Sequence, residues 1–414
     1  MADRDIDIAV FGATGFVGRL VARYLAEHAP EGVRVALAGR TRSKLETVRS
    51  ALPPAARDWP LVVADSTDTA SLTRLAEATR VVLTTVGPYA MDGLPLVQAC
   101  ARAGTHYADL TGEITFLRAV IDECDAPARA SGARIVPTCG VDSIPSDIGV
   151  WELAQRVAAD GEGTLTDTSA VVTAFRGGIG GGTVESALGQ MRAGRTDPGA
   201  RRLLADPYSL SPNRGAEPDH SREAELTRIV YDSLAGQYVG PFIMASINSR
   251  VVRRSNALLD HGYGPGFRYR EVTGLGDSRP KAIAKGLATA GPGALLLLAS
   301  NQRIGAQAET VLRRILPKPG EGPSETTMQA GETGFDIHTR TSTGAHYATT
   351  VHIDGDPGFL ATALLMSQTG ITLALDHDQL PDRAGVLTPA TALNGALTDR
   401  LRRAGITLET RRLS

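Results

Sequence analysis

A short apolar run at residues 8–11, "IAVF", meets glycines at 12, 15 and 18, and then Val17, Leu20, Val21, Tyr24 and Leu25 recur at spacings of three and four. The run predicts a strand buried on both faces, and the spacing predicts a helix with one apolar face. The same alternation continues. Strands are expected at residues 33–38, 60–68, 80–90 with its exit loop, 105–113 and 133–147, with helical patterns such as Leu96, Val97, Cys100 and Ala101 between them. Regular alternation of this kind predicts an α/β fold with an N-terminal Rossmann-type, doubly wound parallel sheet. Ligands of such sheets bind beyond the carboxyl ends of the strands.

Past residue 147 the pattern changes. Residues 169–175, "SAVVTAF", read as a strand, and "RGGIGGG" at 176–182 follows. No βαβ unit continues from that glycine run, so it reads as a plain loop before a helix near Thr183 rather than a second phosphate loop. Residues 197–239 are mixed and rich in Pro, Arg and Asp. The stretches "GFDIHTRTST" and "AHYATTVHID" alternate apolar and polar residues about a turn at Thr343-Gly344, which predicts an antiparallel hairpin. A last helix is expected from about Pro389 to Arg403. The expected organisation is a dinucleotide-binding domain over 1–147, an α+β substrate domain with antiparallel strands over 148–384, and a C-terminal helix and tail over 385–414 packing back on the first domain.

The first glycines carry the clearest chemistry. At a strand-to-helix turn, Gly12 allows the tight bend, Gly15 lets a ligand approach backbone, and Gly18 lets the helix pack close to the strand. With Ala13, Thr14 and Phe16 they form a cradle for a pyrophosphate at the helix N-terminus. The second strand ends in Gly39-Arg40-Thr41-Arg42-Ser43-Lys44, with no carboxylate. An NAD site places Asp or Glu there for the ribose 2′-hydroxyl. Arg40, assisted by Ser43 and Lys44, instead suits a 2′-phosphate, which points to NADPH. Asp65, ending the third strand, and Val86, Gly87 and Pro88, ending the fourth, complete the expected cofactor lining.

Composition narrows the class. The chain has 414 residues, a formal net charge of −2 and 21% charged residues, so nothing points to nucleic acid. Its three cysteines, Cys100, Cys124 and Cys139, form no CxxC pair. No secretory leader is read, and a reduced, cytoplasmic protein is expected. The eight histidines form no ligand cluster, so no metal is indicated. Residues 286–300, "GLATAGPGALLLLAS", are uncharged but shorter than the ~20 residues a membrane span needs, and Pro292 and Gly293 interrupt them. They read as a buried helix pair, as an acyl-chain channel, or as a patch touching the inner face of the plasma membrane.

At "FGATGFVG", "LAGR", "TTVGPY", "YADLTGE" and "CGVDSIPSD" the chain resembles the saccharopine dehydrogenase-like family. More closely, it is similar to the trans-acting enoyl reductase subfamily of actinobacterial lipid synthesis. "RRLLADPYSL", "RGAEP", "RVVRRSNALL", "YGPGFRY", "PKPGEGPS" and "GVLTPATAL" extend that likeness over nearly the whole chain. The resemblance implies an NADPH-dependent enoyl reductase. Its partner would be the acyl carrier domain of a polyketide synthase, which presents a trans-2-enoyl chain, as in phthiocerol-type lipids. No set of cations suits the two carboxylate ends of saccharopine.

Enoyl thioester reduction needs a donor for the thioester oxygen and an acid for the α-carbon. Tyr89, in the exit loop of the fourth strand, is read either as that donor or as a packing residue, and Asp142 either as the acid, if its pKa is raised, or as a helix cap or a group that orients a neighbour. Asp109 and Glu113 are expected to shape the pocket or cap a helix, and Cys139 to be a small buried side chain. Arg250, Arg253 and Arg254 are expected either as a solvated basic face or as a basic mouth for an acidic carrier. Two other functions remain open here: an NADP(H)-binding sensor or scaffold without turnover, and an imine or carbonyl reductase.

Overall fold

In the computed structural model, residues 4–177, 180–218, 225–287, 301, 304–315 and 322–414 are described. The first apolar run forms β1 (Ile6–Phe11), buried along its whole length. β2 (Val35–Gly39), β3 (Leu61–Val63), β4 (Thr79–Thr84), β5 (His106–Ala108) and β6 (Arg134–Val136) follow, with helices between them. All their pairings are parallel. β1 lies centrally, with Val10 opposite Leu37 of β2 on one side and Leu83 of β4 on the other. The sheet order 6-5-4-1-2-3 reverses direction between β1 and β4. That switch point opens a crevice at the strands' carboxyl ends.

The second sheet holds β7 (Leu165–Arg176), β8 (Val230–Asp232), β9 (Gln237–Pro241), β10 (Arg268–Gly276), β11 (Glu332–Thr341) and β12 (His346–Asp354). β7 pairs parallel with β10 and antiparallel with β11. β11 and β12 form the expected hairpin, with Ile337 opposite Thr349. The fold class is therefore the one expected: a parallel Rossmann-type sheet and a mixed sheet with antiparallel strands. After β7 the helix Gly181–Thr196 begins two residues earlier than Thr183.

The C-terminal part ties both sheets together, which differs from a tail returning to the first alone. β13 (Gly385–Val386) extends the first sheet beside β6, whereas β14 (Thr407–Arg412) pairs antiparallel with β12 of the second. The helix Leu360–Leu375 also departs from the expected division. It packs on β4 of the first sheet so closely that a Cβ on Gly370 would lie 2.7 Å from Leu83 Cδ1. Gln368 Nε2 on the same helix donates to Tyr24 Oη at 2.9 Å. The helix Ile144–Ala159 sits between the sheets, and a Cβ on Gly149 would meet Ile337 Cδ1 at 2.5 Å. One apolar core runs from Ile8 and Leu83 to Phe335, Val351 and Leu408. The two sheets thus share one apolar seam.

Candidate functional site

The glycine turn after β1 is tight for identifiable reasons. Gly12 has φ +88°, and its Cβ would lie 2.8 Å from Val86 Cγ2. A Cβ on Gly15 would lie 3.2 Å from Gly12 O, and one on Gly18 only 2.1 Å from the same oxygen. Gly18 is therefore what lets the helix Phe16–His28 close on the turn. That helix has Gly15 as N-cap, no side-chain cap bond and no acid in its first turn. Its first N–H groups are left for an anionic ligand. The Phe359 ring, from the second half of the chain, meets Phe16 edge-on at 4.9 Å and walls the turn.

A second uncapped helix start stands at the end of β2. The helix Arg42–Ala51 has Thr41 as N-cap with no side-chain cap bond, and again no acid in its first turn. Arg40, Ser43 and Lys44 are exposed around it. Two open helix starts, one flanked by cations and neither by a carboxylate, fit a pyrophosphate and a 2′-phosphate. Asp65 does not oppose this. Its carboxylate accepts from Thr67 N at 3.0 Å and Thr67 Oγ1 at 2.9 Å. Those bonds, with Arg40 adding its charge, hold its pKa below the usual carboxylate value.

Beyond β4 and β5 the polar groups are mostly committed to one another. Glu113 accepts from Tyr89 N and Ala90 N at 2.9 Å each, and from Ser186 Oγ at 2.6 Å. Asp109 accepts from Thr111 N, Thr138 N and Tyr107 Oη. Burial nonetheless raises the Asp109 carboxyl to about 6. Tyr89 requires a correction. Its ring is buried, its hydroxyl donates to Thr84 O at 3.1 Å, and the same oxygen accepts from Leu110 N at 3.2 Å. Its only proton is therefore spent on backbone, and Tyr89 pins two strand exits instead of presenting a donor.

Asp142 is different. It stands just before the helix Ile144–Ala159, is only partly buried, and makes no hydrogen bond to another described residue. Desolvation first, and the charge of Asp109 second, raise its carboxyl to about 6. Cys139 is fully buried, and its thiol is pushed far above the ordinary value by that burial, so it is no nucleophile. Asp147 accepts from Ser255 Oγ and from Ala390 N at 2.8 Å, which makes it a clasp between segments.

The three arginines of the helix Ala245–Leu258 are a second correction. Arg250, Arg253 and Arg254 are each only 4% exposed, so they form neither a solvated face nor a basic mouth. Arg250 donates to Leu204 O at 2.7 Å, Arg253 to Tyr269 O at 2.9 Å, and Arg254 to Leu210 O and Val386 O at 2.6 Å each. They are struts holding carbonyls of distant segments.

Gln190, Asn248 and Glu271 shape the site and carried no sequence signal. Gln190 accepts from Ile114 N at 2.7 Å and donates to Gly112 O at 2.9 Å. Ser143 Oγ donates to Asn248 Oδ1, and Asn248 Nδ2 donates to Glu271 Oε1. Among the described residues no group of three ligating side chains could hold a metal, and no helix is long and apolar enough to cross a membrane. Of the apolar stretch 286–300, residues 288–300 lie outside the described residues.

Comparison with known proteins agrees with this geometry. The model of the saccharopine dehydrogenase NADP binding domain matches residues 8–136. A trans-acting enoyl reductase of Mycobacterium tuberculosis is 45% identical over 418 residues, covering 100% of this chain and 99% of that one. Another, from Mycobacterium ulcerans, is 43% identical over 417 residues, with the same coverage. Among solved structures, the saccharopine dehydrogenase (L-Glu forming) of Saccharomyces cerevisiae covers 98% of this chain and 99% of its own, with a TM-score of 0.52 at 14% identity. That likeness is one of fold. The first sheet and its helices are an NADP-binding domain.

Proposed function

The chain belongs to the trans-acting enoyl reductase family, and on that premise we propose that it reduces a trans-2-enoyl thioester with NADPH. The thioester is presented by the acyl carrier of a polyketide synthase making a phthiocerol-type lipid. One observation carries the choice of substrate class. The exits of β4, β5 and β6, residues 85–92, 109–113 and 137–147, hold five carboxyl groups, at Asp92, Asp109, Glu113, Asp142 and Asp147, and no Lys, Arg or His. A polycarboxylate such as saccharopine would meet repulsion there. A neutral thioester meets none.

When bound, NADPH supplies the hydride. The chain's own residues bind, orient and protonate. Gly12, Gly15 and Gly18 bring backbone N–H groups to the pyrophosphate, and Arg40 with Lys44 neutralises the 2′-phosphate. Tyr89, through Thr84 and Leu110, fixes the spacing of the β4 and β5 exits. Asp142 holds the proton destined for the α-carbon. With a pKa of about 6 it is protonated in roughly one molecule in ten at pH 7, and it is recharged quickly from water. Asp109, whose charge lifts Asp142, tunes that acid without touching substrate.

The test is single-turnover oxidation of bound NADPH. A trans-2-enoyl thioester should oxidise it, and an imine or oxo acid should not. Asp142→Asn should lower the rate about 10²–10³-fold while leaving the NADPH Kd unchanged. An unaltered rate in Asp142→Asn removes the acid assignment. Oxidation by imines alone removes the enoyl thioester.

A further inference from the structure

The mixed region builds an open cavity of about 350 Å³ against the helix Ile114–Ser131. Arg118 of that helix, Arg202 of the helix Pro198–Ala205, and Arg214 stand on its walls with Asp206 and Tyr208. We propose that this cavity receives the phosphate of the thioester's carrier arm, the 4′-phosphopantetheine group common to coenzyme A and acyl carrier domains. The proposal rests on the enoyl thioester reading and specifies where its handle is held.

The charges favour an anion. Arg118 pairs with Asp122, and Arg214 Nε with Asp206 Oδ2 at 2.8 Å. Arg202 has neither an acidic partner nor a side-chain hydrogen bond among the described residues, and it is exposed. Among the described residues, three cations at the cavity, Arg118, Arg202 and Arg214, thus stand with two acids, Asp122 and Asp206. Arg118 adds an unused donor, because its Nε is buried without a partner while Nη1 donates to Ser209 O at 3.2 Å. A phosphate in the cavity would neutralise Arg202 beside the Arg118 and Arg214 guanidinium groups, and charge-assisted bonds of this kind are the strong ones.

The wall is built rigidly, which an adventitious surface dent would not need. Arg250 holds Leu204 O and Asp206 O, and Arg254 holds Leu210 O. Arg253 donates to Pro207 O at 3.3 Å and lies 5.2 Å over the Tyr208 ring. Three buried guanidinium groups thus fix the main chain of the wall from behind. Burying them is costly, and holding a binding wall in one shape is a return for that cost.

The cavity is also in the right place. Its helix begins at the Glu113 cap that fixes the β4 exit, and Arg118 lies five residues on, about 7 Å along the axis. The helix Gly181–Thr196, which sends Ser186 and Gln190 to that exit, runs directly into the helix carrying Arg202. A phosphate held here leaves an extended pantetheine arm to reach toward the β4 and β5 exits and the neighbouring β6 exit that carries Asp142.

The experiment compares four enoyl thioesters of one acyl chain: on pantetheine, on 4′-phosphopantetheine, on coenzyme A and on an acyl carrier domain. In Arg202→Glu, KM should rise about tenfold or more for the three phosphate-bearing substrates and stay unchanged for enoyl-pantetheine. The NADPH Kd should not move. Equal KM changes for enoyl-pantetheine and enoyl-4′-phosphopantetheine, or no change for either, overturn the proposal. A loss confined to coenzyme A overturns it too, since the cavity would then hold the nucleotide phosphates. Binding of 4′-phosphopantetheine itself, followed by ³¹P resonance, separates the two readings. Binding lost in Arg202→Glu but present in an enzyme inert to every enoyl thioester would keep the phosphate site and sink the proposed reaction. No binding to the wild-type protein would sink the site alone.

Discussion

At the ends of β1 and β2 the groups offered to a ligand are backbone N–H groups of two uncapped helix starts. Along the seam with the mixed sheet, side chains delivered from far away hold one another and the backbone instead. Ser186 reaches Glu113 across 73 residues, Ser143 reaches Asn248 across 105, and Arg254 reaches Val386 across 132. The first construction needs small residues and empty space, and it tolerates no added carbon. The second needs buried charge, and it tolerates no lost partner. The two regions should therefore fail in opposite ways when altered.

Adding carbon to the cradle should have the largest effect. A side chain on Gly18 starts 2.1 Å from Gly12 O, a backbone atom that cannot swing aside. Gly18→Val should weaken NADPH more than a hundredfold, measured by quenching of protein fluorescence or by calorimetry. Gly182→Ala is the control, because nothing lies within 4 Å of its Cβ position. A folded Gly18→Val protein with the wild-type Kd would refute the cradle.

Removing a partner from the seam comes next. Arg254→Ala leaves the carbonyls of Leu210 and Val386 buried without their donor. The loss should be about 3–5 kcal/mol in urea unfolding, with little change in NADPH affinity. A cost under about 1 kcal/mol would mean that water replaces the guanidinium and that the seam is looser than described.

This contrast also explains what could be read in advance. The cradle was legible because its whole logic lies within a few neighbouring residues: an apolar strand, three glycines, a helical period. The reading of Arg40 rests on the same local kind of pattern, a cation where a carboxylate is usual. The hairpin at β11 and β12 followed from alternation alone. Tyr89 and the arginines at 250, 253 and 254 were misread. Nothing local says whether a hydroxyl finds a carbonyl five residues back, or whether a run of arginines turns inward to carbonyls 16 to 132 residues distant. The Asn248–Glu271 pair and β13 left no local pattern at all, since a two-residue strand has no period. Long-range partners are set by packing, and packing is a property of the assembled fold.

Arg40→Asp should come third, and it tests the cation flank without touching the seam. It exchanges attraction for repulsion at the 2′-phosphate, which is worth about 2–4 kcal/mol in NADPH binding. NADH, which lacks that phosphate, should change little. An NADPH Kd within twofold of wild type would show that Lys44 and the helix start suffice.

The smallest effect should come from protonation in the seam. Glu271 accepts from Asn248 Nδ2, Ser146 Oγ and Tyr269 Oη, yet its full burial outweighs those donors and raises its carboxyl to about 7. In the unfolded chain it titrates near 4.3, so between the two values the folded protein binds a proton that the unfolded chain has lost. The stability from this group is fully present below about pH 4 and is lost as pH rises through about 7. Over pH 5.5 to 7 the fall should be about 1.6 kcal/mol, since the slope of 1.36 kcal/mol per pH unit for one proton halves as pH reaches the folded value. Glu271→Gln keeps the shape and removes the titration, so its unfolding free energy should decline by about that much less over the same interval. Titrations elsewhere in the chain cancel in the difference between the two proteins. A parallel pair of pH curves would mean that the three donors hold Glu271 ionised throughout, and that the seam carries a fixed charge instead of a proton.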